Sequence, residues 1–145
     1  ILAKTEALAA GFDEAILLNQ NGTVSEGSGE NLFMIRDGVI TTPSETDNCL
    51  LGITRDSVIQ LAKDELGVDV VQRPMHRSEL YLADEVFLTG TAAHLTSVGE
   101  LDNRAIGDGE TGPVTKQLQD LYFSTVVGDN DTYSDWCTMV TPSGG

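Results

Sequence analysis

The alternation of apolar and polar positions divides this chain of 145 residues into short strands and a few helices with turn signals between them. Ile1 to Ala10 runs at helical spacing, with Ala3, Ala7 and Ala10 on one face, and Gly11 supplies the stop. Ala15 to Leu18 is an apolar run that suits a buried strand, and Asn21-Gly22 is a turn signal that pairs it with Thr23 to Ser25. A second hairpin is predicted from Asn31 to Arg36, through Asp37-Gly38, to Val39 to Thr42. Val58, Ile59, Ala62 and Leu66 then recur at helical spacing between Thr54, read as the N-cap, and the stop at Gly67. Val68 to Gln72 reads as a strand and Ser78 to Ala83 as a short helix. Glu85 to Leu88 is a strand closed by a Thr89-Gly90-Thr91 turn, and another strand lies near Leu95 to Val98, before a turn at Asp102-Asn103. Pro113 opens a helix whose Val114, Leu118, Leu121 and Tyr122 share a face. Tyr81, Tyr122 and Phe123 read as core. The polar stretch Gly128 to Gly145 reads as a tail, with Trp136 as the residue to dock it. Helices mixed with antiparallel hairpins predict an α+β or barrel-like α/β domain.

The length fits one domain, and 40% hydrophobic with 21% charged residues excludes disordered and collagen-like classes. Against 23 acidic residues stand only 8 basic ones, a formal net charge of −15, which argues against nucleic acid or an anionic membrane surface as partner. Cys49 and Cys137 lie far apart without CxxC spacing, so reduced thiols are expected, and with His76 and His94 they show no metal-ligand spacing. No apolar run approaches the roughly 20 residues that a bilayer crossing needs. A soluble, cytoplasmic protein is the expectation.

Three segments could carry chemistry. SEGSGENLF, Ser25 to Phe33, sets two glutamates and an asparagine among glycines that let the backbone approach a ligand; its plainer reading is a polar hairpin loop. LGITRD, Leu51 to Asp56, places Gly52 and Ile53 at a helix start, where free amides and the positive dipole end suit a phosphate, although every capped helix has such an end. TGTAAH, Thr89 to His94, offers hydroxyls and amides in a glycine-bearing turn, with an ordinary strand-to-loop bend as the plainer alternative.

Taken together and in order, GFDEAILLNQNGTVSEGSGENLFMIRDGVITTP, LGITRD, SELYLADEVFLTGTAA and GPVTK resemble the fold-type IV pyridoxal-phosphate enzymes, especially the branched-chain amino acid aminotransferases. The likeness runs to about Trp136. It implies a cofactor-binding large domain over residues 1–127, incomplete at its N-terminus, followed by a C-terminal tail over residues 128–145. It also implies pyridoxal 5'-phosphate as cofactor, amino acids and 2-oxo acids as substrates, and a homodimer or an association with a missing N-terminal part. On this resemblance Glu26 matches the acidic partner of the pyridine nitrogen and Glu30 a second, structural glutamate. Ile53, Thr54 and Thr91 match the groups that hold the cofactor phosphate, while Thr91 and Ala92 meet the substrate carboxylate. Leu51 stands where the family commonly has proline.

The chemistry also needs a Schiff-base lysine, and the chain holds only Lys4, Lys63 and Lys116. All three read as solvated surface residues; the family pattern would put the catalytic lysine before Ile1, so no catalytic residue is assigned within the chain and it is expected to be inactive alone. D-amino-acid aminotransferase and aminodeoxychorismate lyase are alternatives of the same fold type, and a non-catalytic binding or assembly module is an alternative of another class.

Overall fold

The computed structural model describes residues 1–138 and 140. Its centre is a five-stranded sheet in the order β5-β4-β3-β6-β7, built from β3 (Asn31–Arg36), β4 (Val39–Thr42), β5 (Val70–Gln72), β6 (Glu85–Gly90) and β7 (His94–Ser97). Only the β4–β5 pair is parallel; the rest are antiparallel, so the domain is α+β with a mixed, antiparallel-rich sheet. A separate hairpin joins β1 (Ile16–Leu18) to β2 (Val24–Gly27), and a small one joins β8 (Glu100–Leu101) to β9 (Arg104–Ala105). Among the described residues, four α-helices complete the fold: α1 (Leu2–Ala9), α2 (Ile53–Leu66), α3 (Arg77–Leu80) and α4 (Pro113–Val126).

Strand β3 shows why the sheet is central. Leu32, Phe33, Met34 and Ile35 are consecutive and all buried, which alternation makes possible only if both faces are covered. Phe33 and Ile35 face the layer formed by α2 and α4, through Val58, Leu61, Ala62, Leu118 and Tyr122. Leu32 and Met34 face a second core made with Val24, Met75, Leu80 and Ile106. Phe33 and its ladder partner Phe87 stack with ring centroids 4.8 Å apart, locking the β3–β6 register. The turn signals act as read: Asp37 and Gly38 both take positive φ, 51° and 76°, as a tight two-residue hairpin requires.

Several expectations need correction. Helix α2 begins at Ile53 with Gly52 as N-cap, so Thr54 is not the cap; it is buried in the first turn. Strand β6 continues through Thr89 and Gly90, which pair with Leu95 and His94, and the turn falls on Thr91 to Ala93. The short helix is Arg77–Leu80, begun by a reciprocal pair between His76 and Glu79. Helix α1 buries none of its residues, and Ala10 is exposed. Phe123 is 43% exposed and is not core. Tyr133, not Trp136, docks the segment after α4: it enters the core and donates to Glu65 Oε1 at 2.9 Å, while Trp136 packs on its ring from outside. The end of the expected tail lies outside the described residues.

Candidate functional site

Residues 43–52 form a strap that connects β4 to α2, and the SEGSGEN segment is stitched to it. Ser44 and Asp47 close a reciprocal turn at its start, after which Asn48 takes a left-handed φ of 59°. From the β1–β2 hairpin, Asn19 Nδ2 donates to Asp47 O at 2.9 Å. From β2, Ser25 Oγ donates to Asn48 O at 2.9 Å, and Glu26 Oε2 accepts the Leu50 amide at 2.8 Å. From β3, Asn31 Nδ2 donates to Leu50 O at 2.6 Å. On the far side the buried Arg55 guanidinium donates to Pro43 O at 3.0 Å and to Gln72 Oε1 at 2.8 Å. Several of the strap's carbonyls and the Leu50 amide are thus satisfied by side chains, the alternative to a sheet ladder open to an irregular segment.

The strap delivers α2 with its first turn uncapped. Gly52 has no side chain to fold back, and among the described residues no other side chain caps the Ile53 and Thr54 amides. A Cβ on Gly52 would sit 2.5 Å from Asn31 Oδ1, so only glycine fits that close approach. Around this corner the Leu50 and Ile53 side chains are 74% and 86% exposed, an apolar rim with no core to cover it. Asn31 pairs with Thr89 across the β3–β6 ladder, and the buried Thr89 hydroxyl has no hydrogen-bond partner among the described residues. Gly90 lies against Gly29 O and Glu30 Cγ, at 3.3 and 3.4 Å from its would-be Cβ.

Glu26 and the α2 start are therefore joined through Leu50, and the end of β6 is joined to both through Asn31. Thr91 and Ala92 follow Gly90 in an exposed turn, and no described hydrogen bond ties them to the others. Glu26 Oε1 has no described partner, leaving one oxygen of an anchored carboxylate able to accept a proton-bearing nitrogen. Beside Glu30, Lys4 Nζ meets Glu14 Oε2 at 2.6 Å, so Lys4 is paired and not freely solvated. Burial alone would raise the Glu14 carboxyl, yet hydrogen bonds from Lys4, Ser28 and the Ala15 amide outweigh it and hold the group at about 2. Neighbouring Glu30 is raised, by its burial and by the Glu14 carboxylate beside it. Lys63 is exposed on α2, and Lys116 pairs with Asp120 on α4.

GPVTK turns out to serve the fold. Glu85, buried on β6, receives the Val114 amide at 3.1 Å and the Thr115 amide at 2.8 Å, capping α4 from across the core. Sequence reasoning missed Asn31, Leu50, Arg55 and Thr89 as parts of the site region. Asn31, Arg55 and Thr89 stand within quoted motifs, and Thr89 reads as a turn residue where the structure continues the strand. Nothing in the sequence signals the Leu50 backbone contacts. Among the described residues, no group of three or more His, Cys, Asp or Glu side chains is placed to hold a metal, and no helix is long and apolar enough to cross a membrane.

A family model described as amino-transferase class IV matches residues 1–101. The probable branched-chain-amino-acid aminotransferase of Aquifex aeolicus is 61% identical over 139 residues, covering 96% of this chain and 45% of that protein. Among solved structures, the T.th. branched-chain amino acid aminotransferase complexed with N-(5'-phosphopyridoxyl)-L-glutamate superposes with a TM-score of 0.91 at 53% identity, over 94% of this chain and 46% of that one. The Thermobaculum terrenum branched-chain amino acid aminotransferase in its PLP form gives 0.92 at 44% identity, over 94% of this chain and 45% of that one. The chain spans a little under half the length of the relatives it matches.

Proposed function

Since this chain belongs to the class IV aminotransferase family, we propose that it is the cofactor-binding part of a branched-chain amino acid aminotransferase that uses pyridoxal 5'-phosphate. The observation that carries the reading is the strap: Leu50 fastens Glu26 at one end of the site, and Ile53 opens α2 three residues later. The donor set fits a group with a ring nitrogen at one end and a dianion at the other. It holds one anchored carboxylate with a free oxygen, two uncapped helix amides, and glycines at the closest backbone approaches. The unpartnered Thr89 hydroxyl marks the same corner as short of an acceptor.

In this reading Glu26 keeps the ring nitrogen protonated, and the Ile53 and Thr54 amides with the Thr91 hydroxyl hold the phosphate. Thr91 and the Ala92 amide receive the substrate carboxylate. When bound, the cofactor supplies an electron sink for moving an amino group. Lys4 is engaged with Glu14, Lys63 lies on the outer face of α2, and Lys116 pairs on α4, so we assign the lysine that bonds the cofactor to the part of the longer relatives that this chain does not span. The relatives' names support Leu, Ile or Val as amino donors for the whole protein. A 2-oxo acid acceptor such as 2-oxoglutarate, a homodimer and a cytoplasmic setting belong to the same proposal.

The test is calorimetric titration of the purified chain with pyridoxamine 5'-phosphate and with pyridoxamine. The phosphorylated compound should bind at least about tenfold more tightly, because helix-start donors act on its phosphate. Equal affinity, or none, overturns the site. Steady glutamate formation from leucine and 2-oxoglutarate by this chain alone would overturn the assignment of the lysine.

A further inference from the structure

Both ends of the proposed site hang on the strap, and one side chain touches the strap at both of them. Leu50, whose amide meets Glu26, and Ile53, whose amide opens α2, are three residues apart, so their amides stay within roughly 11 Å of each other whatever the strap does. A displacement of this segment must therefore disturb the carboxylate end and the phosphate end together. Asn31 contacts it through both halves of its amide. Nδ2 donates to Leu50 O at 2.6 Å, and Oδ1 packs against the α-carbon of Gly52, 2.5 Å from where a Cβ would be. Asn31 is 6% exposed and sits in the β3–β6 ladder opposite Thr89, so it ties the strap to the central strands of the sheet. The other tethers do less. Ser25 and Asn19 hold only Asp47 and Asn48, and Arg55 holds Pro43 at the strap's beginning.

Resting on the cofactor reading above, we propose that Asn31 is a positioning residue that sets the Glu26 carboxylate and the Ile53 and Thr54 amides in one register, through Leu50 and Gly52, without touching the cofactor itself. Its amide has a single useful orientation, because Leu50 O can only accept. Asn31→Asp keeps the shape and turns the donor into an oxygen facing Leu50 O, which pushes the strap away from β3. Asn31→Ser removes the reach without adding charge.

The experiment compares the wild-type chain, N31D, N31S and S25A, each checked for folding by its urea midpoint. Three quantities are read: affinity for pyridoxamine 5'-phosphate, affinity for inorganic phosphate, and the pH at which the ring nitrogen of the bound pyridoxamine phosphate titrates in absorbance. N31D and N31S should weaken both affinities by about tenfold, the worth of one hydrogen bond, and lower the ring nitrogen's titration point as Glu26 loses its anchor. S25A should stay within about twofold of wild type, because Asn19 still holds that end of the strap. A merely structural Asn31 would lower the urea midpoint and leave the ring titration in folded protein unmoved. That result, a loss confined to one end, or an equal paired loss in S25A overturns the role given to Asn31. Wild-type chain that takes up neither ligand overturns instead the cofactor reading on which the role rests.

Discussion

Helices α2 and α4 are each 14 residues long, and each starts after a glycine in extended conformation, Gly52 with φ −72° and Gly112 with φ −71°. They differ in what meets their first amides. At α4 a buried carboxylate, Glu85, takes the amides of Val114 and Thr115. At α2 the corresponding polar side chain is Asn31, and it spends its donor on Leu50 O while the Ile53 and Thr54 amides stay uncapped. The two residues stand at opposite ends of one ladder, Asn31 opposite Thr89 and Glu85 opposite Ile35. The fold thus saturates one helix start with its own side chain and leaves the other open, the end to which we assign the cofactor phosphate. Exposed apolar side chains at Leu50 and Ile53 accompany the open end only.

Breaking the closed end should cost the most. A Cβ at Gly112 would overlap the Glu85 carboxyl, so Gly112→Ala must expel a buried charge from its two donors. We expect a loss of about 3 kcal/mol in urea denaturation, combining overpacking with amides left unsatisfied. Glu85→Gln should cost less, about 2 kcal/mol, because one amide oxygen replaces two carboxylate oxygens and the charge–dipole attraction is lost. A Glu85→Gln chain as stable as wild type would mean that the α4 cap contributes nothing and that the contrast is only geometric.

The open end predicts the opposite balance. Gly52→Ala forces a Cβ against Asn31 Oδ1, which the exposed strap can relieve by shifting, so stability should fall by only about 1 kcal/mol. Affinity for pyridoxamine 5'-phosphate should nonetheless fall by at least about tenfold, since the shift moves the donors. Glu26→Ala should change stability by less, about 0.5 kcal/mol, because the Leu50 amide it frees can turn to water; its effect should appear in cofactor binding. If Gly52→Ala unfolds the chain as readily as Gly112→Ala, the two helix starts are equally structural and the open end is not kept for a ligand.

This contrast also explains what the sequence made legible. Turn residues such as Asp37-Gly38, the apolar period of α2 and α4, and the continuous apolar run of β3 are local signals, and each became the element it announced. The resemblance assigned roles to Glu26, Ile53 and Thr54 from their order along the chain, and GPVTK stood in the same series as LGITRD. Telling them apart required knowing that Glu85, 30 residues before Thr115, folds back onto that helix, which is a long-range fact. The N-cap at Thr54 failed for a related reason: hydroxyl preference favours Thr, but the close approach of Asn31 requires glycine two residues earlier. Asn31 itself looked like one polar residue among several in a loop, because its partners come from a strap that has no pattern of its own.

A pH-dependent effect sits where the two helices meet again. After α4 the chain turns through residues 131–136, and the buried Tyr133 phenol donates to Glu65 near the C-terminal end of α2 at 2.9 Å. Burial, reinforced by the Glu65 carboxylate, pushes this phenol up to about 12, whereas in the unfolded chain it titrates near the ordinary value of about 10. The folded state thus holds its proton more tightly than the unfolded one. The stabilisation is fully present below about pH 10 and is lost as pH rises toward about 12. Tyr133→Phe keeps the ring and removes the hydroxyl, so it should cost about 1 kcal/mol at pH 8, the worth of one hydrogen bond. Urea denaturation of both proteins from pH 8 to pH 12 should show the wild-type advantage shrinking above about pH 10, because only wild type must then keep a phenol protonated beside a carboxylate. Curves that stay parallel over that range would show that folding leaves the phenol's titration unmoved and that the Glu65 carboxylate does not hold its proton.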